Sequence, residues 1–199
     1  MKRIIAVLMV TLLIFSLAAC GGKTNNDTDT TVETVENVAP IDLLNTVWAS
    51  YSTADEAYFP AAGGDMLTDE TTNWEGPAVF GTTGEAAEAI EPMLHFPAAS
   101  ISKIDAAASL MHAMNANTFT CGAFHVTNTA DVDALTTEIK TTIDGTQWMC
   151  GFPEKVLIVT VGDTIVAAVG NTQLVDTFNA KLAAAYTSAE VVVDEAIVA

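Results

Sequence analysis

Basic residues are scarce in this 199-residue chain: seven lysines and arginines face twenty-five acidic residues, a formal charge of −18. That deficit argues against a nucleic-acid partner and against electrostatic adhesion to anionic lipid. It leaves two readings of the acids, a solvated surface or a field that steers a ligand. Cysteine is rarer still, at 20, 121 and 150. No two of the three form a Cys-x-x-Cys, so a thioredoxin-like redox role lacks its basis. The chain also lacks Gly-x-Ser-x-Gly, His-Glu-x-x-His and a glycine-rich phosphate loop, the local devices that activate a serine, hold zinc or cradle phosphate. Asp65, Asp69 and Glu70 lie in the stretch GGDMLTDE. It has neither the ligand spacing nor the closing glutamate of a calcium loop, and it reads as solvated loop acids.

Long apolar runs are also missing, with one exception. Met1 to Gly22 reads MKRIIAVLMVTLLIFSLAACGG: a basic start at Lys2 and Arg3, an apolar run from Ile4 to Leu17, then Leu17-Ala18-Ala19-Cys20. The run falls short of the ~20 residues that span a bilayer comfortably. The pattern resembles a bacterial lipoprotein signal, the alternative being an uncleaved N-terminal membrane helix. The resemblance implies cleavage before Cys20 and a diacylglyceryl thioether on its sulfur, a role that needs a thiolate nucleophile. The acyl chains would hold the protein to the membrane at about 0.8 kcal/mol per buried methylene. Residues 23–38, KTNNDTDTTVETVENV, have almost nothing to bury and read as a disordered tether with an end-to-end distance of roughly 20–25 Å. The expected organisation is a signal peptide at 1–19, lipidated Cys20 and tether at 20–39, one domain at 40–187, and a tail or edge strand at 188–199. Without Lys2 and Arg3, five basic residues face twenty-five acidic ones, a charge of −20.

Periodicity supplies the fold. Pro40-Ile41-Asp42 opens a helix whose apolar stripe is Leu43, Leu44, Val47, Trp48 and Tyr51. Tyr58 to Gly76 reads as loop, and Thr83 to Met93 as a second helix with Glu85, Glu88 and Glu91 on its wet side. Ile101 to Met114 is Ala-rich and reads as a strand, with a helix as the alternative. Asn115-Ala116-Asn117 is a turn signal, and Phe119 to Thr127 reads as a strand. Asn128 to Asp131 caps a helix that turns Val132, Leu135, Ile139 and Ile143 inward. Lys155–Val161 and Thr164–Val169 form a hairpin about Gly162-Asp163. Asn171-Thr172 caps a last helix with Leu174, Val175, Phe178 and Leu182 on its apolar face. The expected fold is therefore α+β: a four-stranded antiparallel sheet from two strand–strand–helix units, both helices on one face, plus N-terminal helices.

The LAAC signal, the tether and the segment MNANTFTCGAFHVTNTADVDALTTEI together resemble small lipoproteins of Gram-positive, largely clostridial bacteria that carry a domain of unknown function. The resemblance covers roughly residues 40–187. It implies the same order of strands and helices, and no activity or site residue.

With Cys20 lipidated, Cys121 and Cys150 remain, a candidate disulfide in an oxidising compartment or else two buried thiols. The bond would close a ~30-residue loop worth roughly 3–4 kcal/mol on the chain-entropy model. His112, Met114, Cys121 and His125 offer the soft sulfur and imidazole set that suits Cu(I), set against an ordinary core use of Met; zinc spacing is lacking. Trp74 and Trp148 fall in loops, where they line a carbohydrate or peptide groove or else cap a small core. The expected function is a lipid-anchored extracytoplasmic binding domain for a partner protein or wall component, without cofactor or catalysis. The alternatives are a copper- or zinc-binding lipoprotein, and a hydrolase without a recognisable motif.

Overall fold

The computed structural model describes residues 37–149 and 151–197. The signal segment, Cys20 and nearly all of the tether lie outside the described residues. Helix α1 (Pro40–Ala49) has Pro at its start and buries Leu43, Leu44 and Val47. Strands β1 (Ala61–Gly64), β2 (Thr72–Asn73) and β3 (Ala78–Phe80) precede α2 (Gly84–Leu94). Then come β4 (Ile104–His112), β5 (Phe119–Val126) and α3 (Val132–Gly145), and after a loop β6 (Lys155–Val161), β7 (Thr164–Gly170), α4 (Thr172–Ala185) and β8 (Ala189–Ala196). Asn171 Oδ1 accepts the Gln173 amide and caps α4 as expected. Asn128 Oδ1 instead accepts the Ala130 amide of a short 3-10 turn, Thr129–Asp131, that leads into α3. α3 itself, with Asp131 at its N-cap position, has no side-chain cap.

The fold class is α+β with an antiparallel sheet, but that sheet has eight strands, not four. Its order is β2-β1-β4-β5-β7-β6-β8, with β3 also on β4. The expected four form the centre. The additions on one side are β1, β2 and β3; the first two come from 58–76, read from the sequence as loop because β1 is Ala-Ala-Gly-Gly and β2 has two residues, too short for a period to show. β1 and β3 lie end to end along β4, pairing Ala61 with His112 and Phe80 with Ala107. Gly63 sits at the fork, where a Cβ would stand 2.4 Å from the Ala78 nitrogen and 2.6 Å from the Ser109 oxygen. Buried Ser109 Oγ accepts the Gly64 amide at 2.8 Å and donates to its carbonyl at 3.0 Å. One hydroxyl thus satisfies the backbone where β1 leaves the sheet.

The helices of the two strand–strand–helix units do not share a face. α3, with α2, covers one face through Leu135, Ile139, Ile143, Ile90 and Phe124. α4, with α1, covers the other through Phe178, Leu182, Leu44, Phe119 and Cys121. The reason lies in the connections. β5 and β6 run parallel with β7 between them, and β7 and β8 run parallel with β6 between them. Both crossovers step two places in the same direction, but β5 and β7 are antiparallel. Crossovers of one hand must then carry α3 and α4 over opposite faces. No rotation superimposes the two units.

The two cores share no packing residue. Ile139→Ala in α3 and Leu182→Ala in α4 are each expected to cost about 2–5 kcal/mol. Their effects should add to within about 0.5 kcal/mol in the double variant, measured by urea denaturation. A coupling well beyond that would contradict helices on opposite faces.

Candidate functional site

The candidate copper ligands are not brought together. His112 ends β4, stacked on Phe59 with ring centroids 5.9 Å apart, and its Nδ1 accepts the Met114 and Asn115 amides. Met114 is exposed beyond the strand. Cys121 is fully buried with a free thiol, and burial pushes that thiol far above the ordinary range. His125 pairs with Ala106, six positions down β4 from His112, or roughly 20 Å. The set is therefore not a site, and among the described residues no three His, Cys, Asp or Glu side chains cluster as metal ligands. Cys150 lies outside the described residues.

His125 does meet a carboxylate, its Nδ1 standing 2.6 Å from Asp105 Oδ1. Its Nε2 is buried and has no hydrogen-bond partner among the described residues. A histidine relay needs a nucleophile at that second nitrogen. Asp65 is buried too, but its Oδ1 accepts the Leu67 amide and the Thr71 hydroxyl, so it holds the β1–β2 loop together.

Among the described residues two cavities stand out by volume. The larger, of about 780 Å³, is an open groove between α1 and α4 floored by Ala180, Ala184 and Ala185. Its one cation, Lys181, is already held by Asp55 and the Ser50 carbonyl and lies 4.5 Å over the Tyr51 ring. Size alone does not make it a site. The smaller, of about 500 Å³, has aromatic and polar walls that converge, as ligand sites do. Lys140 and Asp144 come from the last turns of α3; Thr146, Gln147, Trp148 and Phe152 from the following loop; and Glu195 with Ile197 from the end of β8.

That loop is tied down by its neighbours. Asn117 Nδ2 donates to the Met149 carbonyl at 2.6 Å and the Gly151 carbonyl at 3.0 Å. Gly151 has φ of 129°, a backbone open to glycine alone. Beyond it the Glu154 carboxylate accepts the Thr172 amide at the head of α4, and the Ile197 amide donates to the Glu154 carbonyl. Trp148 packs on the α2/α3 core, edge-on to His95 at 5.0 Å and to Phe152 at 6.4 Å. His95 is buried in a left-handed turn closing α2, and burial pulls its pKa down to about 4. The ring behind Trp148 is thus neutral near pH 7. Lys140 Nζ donates to both Asp144 oxygens at 2.7 Å and faces Glu195 at 3.5 Å. The Asp144 hydrogen bond leads in raising its pKa, so the ammonium stays charged.

Of the two loop tryptophans singled out from the sequence, Trp148 both caps the core and lines a cavity, while Trp74 is 61% exposed. Lys140, Asp144, Phe152 and Glu195 carried no local signal. Residues 140 and 195 meet only because β8 pairs with β6, setting Glu195 beside Val156.

The neutral burial of His95 sets a pH dependence. Its folded pKa lies below the unfolded value of 6.5, so its contribution is complete above about pH 6.5 and is lost as pH falls toward 4. Between pH 7 and pH 4, the wild type should lose about 3 kcal/mol more stability than His95→Asn, a residue that tolerates the left-handed turn. Parallel pH profiles of the denaturation midpoint would contradict a neutral buried His95.

Compared with protein-family models, curated proteins and solved structures, the chain finds no match in any of the three.

Proposed function

We propose that the chain is a lipid-anchored, extracytoplasmic binding protein that presents the Trp148 cavity to a component of the cell surface, a partner protein or the wall. The anchor reading rests on LAAC at 17–20 and the polar residues that follow. The binding reading rests on one observation: a cavity walled by Trp148 and Phe152, on a loop tied to three other elements. The electrostatics are consistent with such a partner. All four lysines of the described residues, 103, 140, 155 and 181, are ion-paired to carboxylates, so the uncompensated charge is negative. Nucleic acid and anionic lipid are poor partners for that surface. The metal reading has no geometric support, because its four candidates are dispersed.

Cys20→Ala should move the protein from the membrane fraction to the soluble one, read by immunoblot after fractionation. Continued membrane retention would refute the lipid anchor. The released Cys20→Ala protein should then cosediment with isolated cell envelopes, and adding Trp148→Ala should reduce the bound fraction about tenfold. Equal sedimentation with and without Trp148 would overturn the cavity as the binding site.

A further inference from the structure

We infer that the ligand class of the Trp148 cavity is a neutral saccharide, an inference that rests on the cavity being the binding site. The walls select for it by their chemistry. Trp148 and Phe152 supply an apolar surface, and Asp144, Thr146, Gln147 and Glu195 set a polar rim around it. A sugar ring has the matching construction, C–H groups on a face and hydroxyls around the edge. Each hydroxyl both donates and accepts, as a rim of carboxylates, an amide and a hydroxyl requires.

Other classes fit less well. A wholly apolar ligand would strip water from Lys140, Asp144 and Glu195 without replacing its hydrogen bonds, which is costly for charged groups. An anion would face two carboxylates and one ammonium that both of them already engage. A cation would have to displace Lys140, which holds both oxygens of Asp144. A hydroxyl needs only a spare lone pair on those oxygens, and an ionised carboxylate has several. The volume of about 500 Å³ lies within the ~300–1,000 Å³ of small-molecule sites.

The walls are also set before a ligand arrives. Lys140 bridges α3 to β8 by holding Asp144 and Glu195 together, and His95 backs Trp148 from the core side. Groups already fixed in place lose little freedom on binding.

The test uses the full chain with its anchor, in a zwitterionic detergent free of sugar headgroups. Neutral tetrasaccharides are titrated while the tryptophan indole N–H resonances are followed by NMR: cellotetraose, mannotetraose and the N-acetylglucosamine tetramer, with spermidine as the cationic probe. At least one saccharide should shift the Trp148 resonance saturably below about 10 mM and leave Trp74 unmoved. Trp148→Ala should weaken binding about tenfold. Gln147→Ala, at an exposed position with no fold at stake, should weaken it by several-fold, while Trp74→Ala should leave it unchanged. No saturable shift with any of the three, or a tighter response to spermidine, overturns the saccharide assignment. If Trp148-dependent sedimentation with envelopes survives that result, only the ligand class falls. If it is lost as well, the binding reading falls too.

Discussion

The antiparallel pairing of β5 with β7 is the contact on which the architecture turns. It runs for seven residue pairs, from Phe119 opposite Gly170 to His125 opposite Thr164, and nearly every side chain along it is buried. It joins the β4–β5 hairpin to the β6–β7 hairpin. Because it reverses strand direction at the centre, crossovers of one hand place α3 and α4 on opposite sides. Both faces of the sheet are then covered, and Phe124 belongs to one core while its neighbours Ala123 and Cys121 belong to the other. A parallel pairing at the same place would have stacked both helices on one side and left the other face to a single N-terminal helix.

Elements with a repeating apolar period were legible from residues alone. Val132, Leu135, Ile139 and Ile143 mark α3, and the run VLIVTVGDTIVAAVG marks the β6–β7 hairpin, because helix and strand impose different spacings on one buried face. β1 and β2 were not legible, since Ala-Ala-Gly-Gly has no side-chain alternation and its partner is two residues long. The side of the sheet taken by each helix was not legible either. It depends on how the hairpins dock, and α3 and α4 have similar amphipathic patterns.

The cavity illustrates the same divide. A tryptophan at 148 in a polar stretch drew notice as a loop aromatic, whereas Lys140 and Glu195 read as ordinary surface charges. Their meeting depends on an antiparallel ladder, and no local window spans it. The dispersal of His112, Met114, Cys121 and His125 has a comparable cause. Closeness along β4 and β5 implied proximity, but the two histidines sit at opposite ends of the pair, and the thiol faces the α1/α4 core.

β8 follows every other element of the sheet in the chain, yet it brings Glu195 and Ile197 to the cavity wall. It also shields β6, whose Val156 to Val159 are fully buried, while most of its own side chains face water. A proteolytic cut ahead of Ala189 would therefore do two things together: open the cavity and bare a valine-rich edge that invites aggregation. Loss of that cavity wall and exposure of the β6 edge would arrive as one event.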